Sequence, residues 1–86
     1  MVLRPMTETD GVGELLDVVR SRRRLPGADE RKRIRVEAGL SLRQVAAAIG
    51  VSWMAIVRWE DGGQPRNPAH VIAYGRLLDE LRRLAA

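Results

Sequence analysis

Glycine and proline residues divide this chain of 86 residues into five short segments. These breaks limit the length of the helices or strands that the chain can form. The breaks fall at Pro26 and Gly27, at Gly39, at Gly50, and at Gly62 and Gly63. Within each segment the apolar residues recur at helical spacing, and they never alternate with polar residues over the length of a strand. The sequence therefore predicts an all-α chain, a compact bundle of about five helices in a single domain.

Capping residues and helix breakers set the boundaries of these segments. We predict helices at about 13–23, 28–39, 42–49, 52–60 and from 68 to the C-terminus, with 1–12 as a flexible tail and 13–86 as the folded domain. Ser41 and Asn67 are residue types that cap helix N-termini, and Pro68 stands at a first helical position, where its missing amide hydrogen costs nothing. Helical spacing turns one apolar face inward, including Ile34, Leu42, Val45, Ala46, Ile49, Ala55, Ile56 and Trp59.

The ionisable residues give little support to an enzyme. The chain has no cysteine and only one histidine, so disulfides and thiolate metal sites are excluded. The adjacent carboxylates at 29–30 and those at 79–80 do not share a helix face, and no glycine-rich segment has the pattern of a phosphate cradle. We expect no catalytic site, no metal and no cofactor.

Two targeting patterns are also missing from the sequence. The longest apolar run, 45–51, is far shorter than the roughly 20 residues of a membrane-spanning helix. The first residues contain no extended apolar segment of the kind that a secretory signal needs. We therefore expect a cytoplasmic protein.

Positive charge is concentrated in one part of the chain. The net charge is +4, but residues 20–35 carry eight cations against two acids, whereas residues 1–19 have a net charge of −3 and residues 36–86 one of +1. Fourteen of the fifteen cations are arginine, which suits bidentate contacts to phosphate or guanine. A GC-rich coding sequence would explain the arginine content but not the clustering. The cluster indicates nucleic acid as the partner, with phosphate contacts from Arg22, Arg23 and Arg24, although a solvated helix end would look the same.

Only a tight turn at Gly50 separates the third and fourth predicted helices. Ala46, Gly50 and Ile56 have the spacing of a helix-turn-helix, at about 41–61. Together with its flanks, the stretch from about 31 to 78 resembles the phage-repressor and Cro (XRE) family. The motifs that carry the resemblance are Arg35-x-x-x-Gly39-Leu40-Ser41, Val45-Ala46-x-x-Ile49-Gly50-Val51-Ser52, Ile56-x-Arg58-Trp59-Glu60-x-Gly62, and a proline-containing loop before a last amphipathic helix.

The resemblance implies a lambda-repressor-like bundle, here with an extra N-terminal helix, that binds double-stranded DNA. In this family the second helix of the motif lies in the major groove, which assigns base contacts to Ser52, Trp53, Met54, Val57 and Arg58. The preceding helix and the following loop contact phosphates, which assigns that role to Ser41, Arg43, Gln44, Gln64 and Arg66. The family also pairs an arginine with the glutamate that ends the reading helix, so we expect a structural ion pair between Arg35 and Glu60.

The sequence departs from the family pattern at Leu42, which stands where glutamine is common, and at Trp53 and Met54, where polar residues are common. Three interpretations of Trp53 and Met54 stay open. They could pack on thymine methyl groups, with the indole N–H donating to phosphate. Trp53 could instead fold back onto residues 20–26 or onto another helix and join the core, or the pair could form a protein-binding patch.

One reading helix contacts only about four or five base pairs, too few to select one site in a genome, so we expect a homodimer. The dimer surface would be the last helix (Tyr74, Leu77, Leu78, Leu81, Leu84), the first helix (Leu15, Leu16, Val18, Val19), or both. The alternative is that these two stripes bury each other within one monomer. The predicted function is a sequence-specific DNA-binding regulator of phage or mobile-element type, repressor or Cro-like. The alternatives are an antitoxin-like protein-interaction module and a recombination or excision accessory factor.

Overall fold

A computed structural model describes residues 11–86, and within them the chain forms five helices and no strand. The helices are α1 (Gly11–Arg24), α2 (Ala28–Glu37), α3 (Leu42–Ile49), α4 (Trp53–Glu60) and α5 (Pro68–Ala85). The prediction of an all-α chain with about five helices is confirmed. Of the described helices, none combines the length and the hydrophobicity that crossing a membrane requires.

The N-terminal boundary differs from the prediction. Helix α1 begins at Gly11, so residues 11 and 12, which we assigned to a flexible tail, belong to the first helix. The acid Glu14 in its first turn and the arginines in its last turn both favour the helix, because they oppose the partial charges at its two ends. Residues 1–10, the rest of the predicted tail, lie outside the described part of the chain.

Side-chain caps start three of the helices. The Ser41 hydroxyl accepts the amide N–H of Gln44 at 3.0 Å, and the Gln44 side chain accepts the amide N–H of Ser41 at 2.8 Å. This reciprocal pair is a capping box, which satisfies two backbone donors at the start of α3. Ser52 caps α4 and Asn67 caps α5 in the simpler way, with one hydrogen bond each. The caps therefore fix where these helices begin.

The turn between α3 and α4 depends on Gly50. This residue has a φ of +91°, in the left-handed region that residues with a Cβ adopt only at a cost. The amides of Gly50 and Val51 both donate to the carbonyl oxygen of Ala46, at 2.8 and 3.0 Å. This arrangement ends α3 within one residue and allows α4 to begin three residues later, packed against α3.

The hydrophobic core lies where α2, α3, α4 and α5 meet. Its buried side chains are Ile34 from α2, Val45 and Ala46 from α3, Ala55, Ile56 and Trp59 from α4, and Tyr74 and Leu78 from α5. The rings of Trp59 and Tyr74 pack with their centroids 5.0 Å apart. Because α4 contributes three of these side chains, the core determines which face of α4 remains outside.

The last helix does not offer the dimer surface that we predicted. Tyr74 and Leu78 are each only 1% exposed, because the core of the monomer already covers them. Leu77 and Leu81 pack against the same core in part, and only Leu84 is largely exposed. The proposal that Tyr74 and Leu78 contact a second subunit is therefore wrong.

Helix α1 packs along α5 but has no buried residue anywhere between Gly11 and Arg24. Of the predicted stripe of α1, Leu15, Leu16 and Val19 are exposed, as is Val12 one turn earlier, and only Val18 is partly buried. Most of this stripe is therefore not buried against α5 within the monomer, which was the alternative to a dimer. The described residues leave this apolar face of α1 uncovered.

Candidate nucleic-acid interface

Helix α4 presents one buried and one exposed face. Ala55, Ile56 and Trp59 point into the core, as their spacing predicts. On the other side lie the five residues to which we assigned base contacts: Ser52, Trp53, Met54 and Arg58 are exposed, and Val57 is partly exposed. The structure thus brings together all the predicted reading residues on a single helix face.

Trp53 and Met54 belong to this exposed face and not to the core. Their exposed fractions are 39% and 44%, whereas the core residues of α4 are at most 9% exposed. The interpretation in which Trp53 folds back and joins the core is therefore wrong. The guanidinium of Arg43 lies over the Trp53 ring, 5.4 Å from its centroid, which is within the range of a cation–π contact.

The N-terminal ends of α3 and α4 form a continuous surface. Ser41, Leu42, Arg43 and Trp53 line one shallow depression, so residues predicted to contact phosphates adjoin residues predicted to contact bases. Gln44, also in the predicted phosphate set, is exposed, but its side-chain oxygen is occupied by the capping box. Residues 41–43, at the start of α3, thus lie beside the exposed Trp53.

The C-terminal end of α4 is held by Arg31, a residue whose role the sequence did not suggest. Its Nη1 donates to the carbonyl oxygens of Trp59, at 2.9 Å, and of Gly63, at 2.8 Å, while its Nε donates to Pro26 at 2.7 Å. The residue is only 6% exposed. Carbonyls at the end of a helix have no partner within it, and Arg31 supplies one. We counted Arg31 in the basic cluster, but it is part of the protein interior.

One signal in the sequence could have identified Arg31. It precedes Ile34 by three residues and Arg35 by four, so helical spacing puts all three on the same inward face of α2. Lys32 and Arg33, the cations between them, point to solvent.

A second arginine of α2 holds the same end of α4. Arg35 donates from Nε and Nη2 to the two carboxylate oxygens of Glu60, at 2.6 and 2.9 Å, and from Nη1 to the carbonyl oxygen of Leu40 at 2.9 Å. The side chains of this ion pair are 13% and 7% exposed. The hydrogen bond to Glu60 raises the pKa of Arg35 above its usual value, although burial opposes this shift. Glu60 is thus a structural partner of Arg35.

Fewer arginines of the basic cluster are free to contact phosphate than the sequence indicates. Arg22 donates to the carbonyl oxygen of Pro65 at 3.0 Å and to the side chain of Gln64 at 3.4 Å, so two predicted phosphate ligands contact each other. Arg20 pairs with Asp17. Arg23 and Arg24 are exposed, and Arg24 lies beside Asp79 and Arg83 of α5.

The predicted site therefore has a compact part and a dispersed part. The compact part comprises the N-terminal end of α3 and the exposed face of α4. The dispersed part comprises Arg22 and Gln64, which bond to each other, the exposed Arg66 in the loop before α5, and Arg23 and Arg24 on α1. No hydrogen bond or ion pair among the described residues joins Arg24 to the compact part.

Comparison with known proteins agrees with this geometry. A family model described as "Helix-turn-helix" matches residues 32–80, more than half of the chain. The match begins within α2 and covers α3, α4 and most of α5, while α1 precedes it. A search of curated proteins and a search of solved structures find no match. The matched region contains the two helices, the glycine turn and the ion pair described above, and the chain belongs to the XRE-type helix-turn-helix family of DNA-binding proteins.

Proposed function

We propose that this protein is a sequence-specific regulator that binds duplex DNA with the exposed face of α4 in the major groove. The observation that carries this proposal is the exposure of Trp53, Met54 and Arg58 on a helix whose opposite face is core. An α-helix fits the major groove of B-DNA, where each base pair presents a distinct pattern. Arg58 is the side chain of this face that can make a bidentate contact to guanine.

The N-terminal end of α3 would bind the phosphate backbone beside that groove. Free backbone amides and the helix dipole favour an anion at this end, and Arg43 adds a charge there. Ser41 and Gln44 contribute indirectly, because their capping box fixes the first turn of α3. Arg23, Arg24 and Arg66 are exposed cations that can add contacts to phosphate. To contact phosphate, Arg22 and Gln64 would have to break the hydrogen bond that joins their side chains.

The proposed regulator acts as a homodimer in the cytoplasm, on phage or mobile-element DNA. The exposed apolar face of α1 supports this assembly, because Leu15 and Leu16 are 66% and 47% exposed. Two copies joined through α1 would present two reading helices and double the length of sequence that is read.

Selection from a random duplex pool, with the full chain as bait, tests the DNA proposal. We expect an enriched sequence whose binding weakens steeply with salt. Arg58→Ala should weaken binding to that sequence by about thirtyfold, within the range for one bidentate base contact. The double change of Arg23 and Arg24 to Ala should weaken binding to all duplexes and lower the salt slope by about one for each phosphate that the variant no longer neutralises.

Arg33→Ala is the matched control, since Arg33 is an exposed cation of α2 that pairs with Glu30. It should leave both the affinity and the salt slope nearly unchanged. Absence of binding to any duplex at low salt would contradict the DNA proposal and favour a protein-interaction module.

Sedimentation tests the dimer separately. The wild-type chain should sediment at twice its monomer mass of 9.6 kDa, and Leu16→Glu should return it to the monomer. Val36→Glu, at a residue of α2 that is 55% exposed, is the control and should leave the dimer intact. A monomer at high concentration, both free and on DNA, would refute the assembly.

A further inference from the structure

The exposed face of α4 contains few groups that can hydrogen-bond to a base edge. The hydroxyl of Ser52 already accepts the amide N–H of Ala55, at 3.3 Å, as the helix cap. Trp53 has one donor, its indole N–H, and Met54 has only a weak thioether acceptor. Of the exposed residues on this face, Arg58 alone offers several hydrogen-bond donors to the acceptors of a base edge.

Internal contacts engage two polar groups that adjoin this face. Both carboxylate oxygens of Glu60 accept hydrogen bonds from Arg35. The guanidinium of Arg43, the nearest cation of α3, lies over the Trp53 ring. That contact keeps the indole at the junction of α3 and α4 and covers one of its two faces. Trp53 and Met54 therefore offer DNA an apolar surface at the beginning of the reading helix.

The major groove contains one common apolar group, the 5-methyl of thymine. The other features of a base edge there are hydrogen-bond donors and acceptors, together with small C–H groups such as the C5–H of cytosine and the C8–H of the purines. A donor or acceptor buried against Trp53 or Met54 would lose its water without gaining a partner, which is costly. A methyl group loses nothing by such burial, and it removes apolar surface from water.

We propose that Trp53 and Met54 recognise the 5-methyl groups of thymine, so that the sequence this protein selects contains thymine at the positions these two residues face. This inference rests on the proposed DNA-binding function and specifies its chemistry. Arg58 supplies polar discrimination nearer the end of α4, and Trp53 and Met54 supply discrimination by the methyl group at its beginning. The flexible, unbranched Met54 adapts to the methyl group, while Arg43 holds Trp53 in place.

Deoxyuridine substitution tests the proposal directly, since it removes the methyl group and keeps the base pair. The probe is the duplex most enriched from the random pool, with each thymine replaced in turn and binding to the full chain followed by fluorescence anisotropy. At one or more positions the dissociation constant should rise about fourfold, which corresponds to ~0.8 kcal/mol for one buried methyl group. Thymines outside the enriched sequence are the control and should tolerate the replacement.

Protein variants connect the effect to the two side chains. Met54→Ala or Trp53→Ala should abolish the preference for thymine over deoxyuridine at a sensitive position, whereas Met54→Leu, which keeps an apolar side chain, should retain it. Arg58→Ala should weaken binding and yet preserve the preference. Because Trp53 and Met54 are exposed, truncating them leaves the core intact.

Two results would overturn the inference while leaving DNA binding in place. One is an enriched duplex in which every thymine can be replaced without loss of affinity. The other is a Trp53→Ala, Met54→Ala double variant that binds as tightly as the wild type and with the same preference, which would leave these residues to a protein partner. Failure to bind any duplex would overturn the proposed function itself, so the two failures are distinguishable.

Discussion

The two ends of α4 are held in different ways. At the C-terminal end, Arg31 and Arg35 reach across from α2 and make four hydrogen bonds to Trp59, Glu60 and Gly63, largely shielded from water. At the N-terminal end, one serine hydroxyl caps the helix, and the next two side chains are exposed. A helix that recognises a ligand has to be held rigidly, and it also needs exposed side chains that can contact the ligand. This helix meets the two requirements at opposite ends.

Arg31→Met should have the largest effect on stability. Methionine keeps much of the apolar stem but removes three hydrogen bonds from a charged donor and leaves the carbonyls of Trp59 and Gly63 without it. We expect the free energy of unfolding to fall by about 3 kcal/mol. Urea denaturation followed by circular dichroism measures this change.

Arg33→Met is the matched control, two residues away on the solvent side of α2, and should change the free energy of unfolding far less. Equal free energies of unfolding in the two variants would show that Arg31 does not stabilise the C-terminal end of α4.

High pH should destabilise the same end of the helix. Burial raises the pKa of Tyr74 to about 12 from its usual 10.0, with a further increase from the charge of Glu60 and a decrease from the nearby Arg31 and Arg35. The folded chain thus favours the neutral phenol. Its contribution to stability is complete below pH 10.0 and is lost as the pH rises through about 12.

We expect the free energy of unfolding to fall by about 2 to 3 kcal/mol across this pH range. Urea denaturation at a series of pH values measures the fall, and Tyr74→Phe should remove it. The Phe variant should otherwise be stable, because the Tyr74 hydroxyl has no hydrogen-bond partner among the described residues. The same decline in both proteins would assign it to other groups.

Ser52→Ala should have the smallest effect, although it acts on the same helix. It removes one side-chain cap, which is worth about 1 kcal/mol of the free energy of unfolding. Thermal unfolding of Ser52→Ala beside Arg31→Met compares the two ends directly. A loss as large as that of Arg31→Met would mean that the two ends contribute equally, and the contrast between them would disappear.

Local signals in the sequence were enough to place the helices and the exposed face of α4. Ser41, Gly50 and Pro68 act on their immediate neighbours, so their effect can be read without knowing the fold. The role of Arg31 could not be read in this way. The carbonyls that it binds belong to Pro26, Trp59 and Gly63, three separate parts of the chain that only the folded structure brings together.

The apolar faces of α1 and α5 show again that local signals do not predict long-range contacts. Periodicity indicated apolar faces on α1 and α5, but it contains no information on what covers them. Tyr74 and Leu78 were assigned to a dimer surface and lie in the monomer core, whereas Leu15 and Leu16 remain uncovered. Likewise, spacing placed Trp53 on the outer side of α4 but left open how deeply its large ring would be buried.

The absence of buried residues from α1, between Gly11 and Arg24, has a consequence for how the chain opens. Amide hydrogens exchange with solvent through local unfolding, and an element that buries little opens at low free energy. The amides of α1 should therefore exchange long before those of α3 and α4, whose opening exposes the core. Residues 11–86 would then unfold in two steps, with α1 melting first while α3 and α4 remain folded.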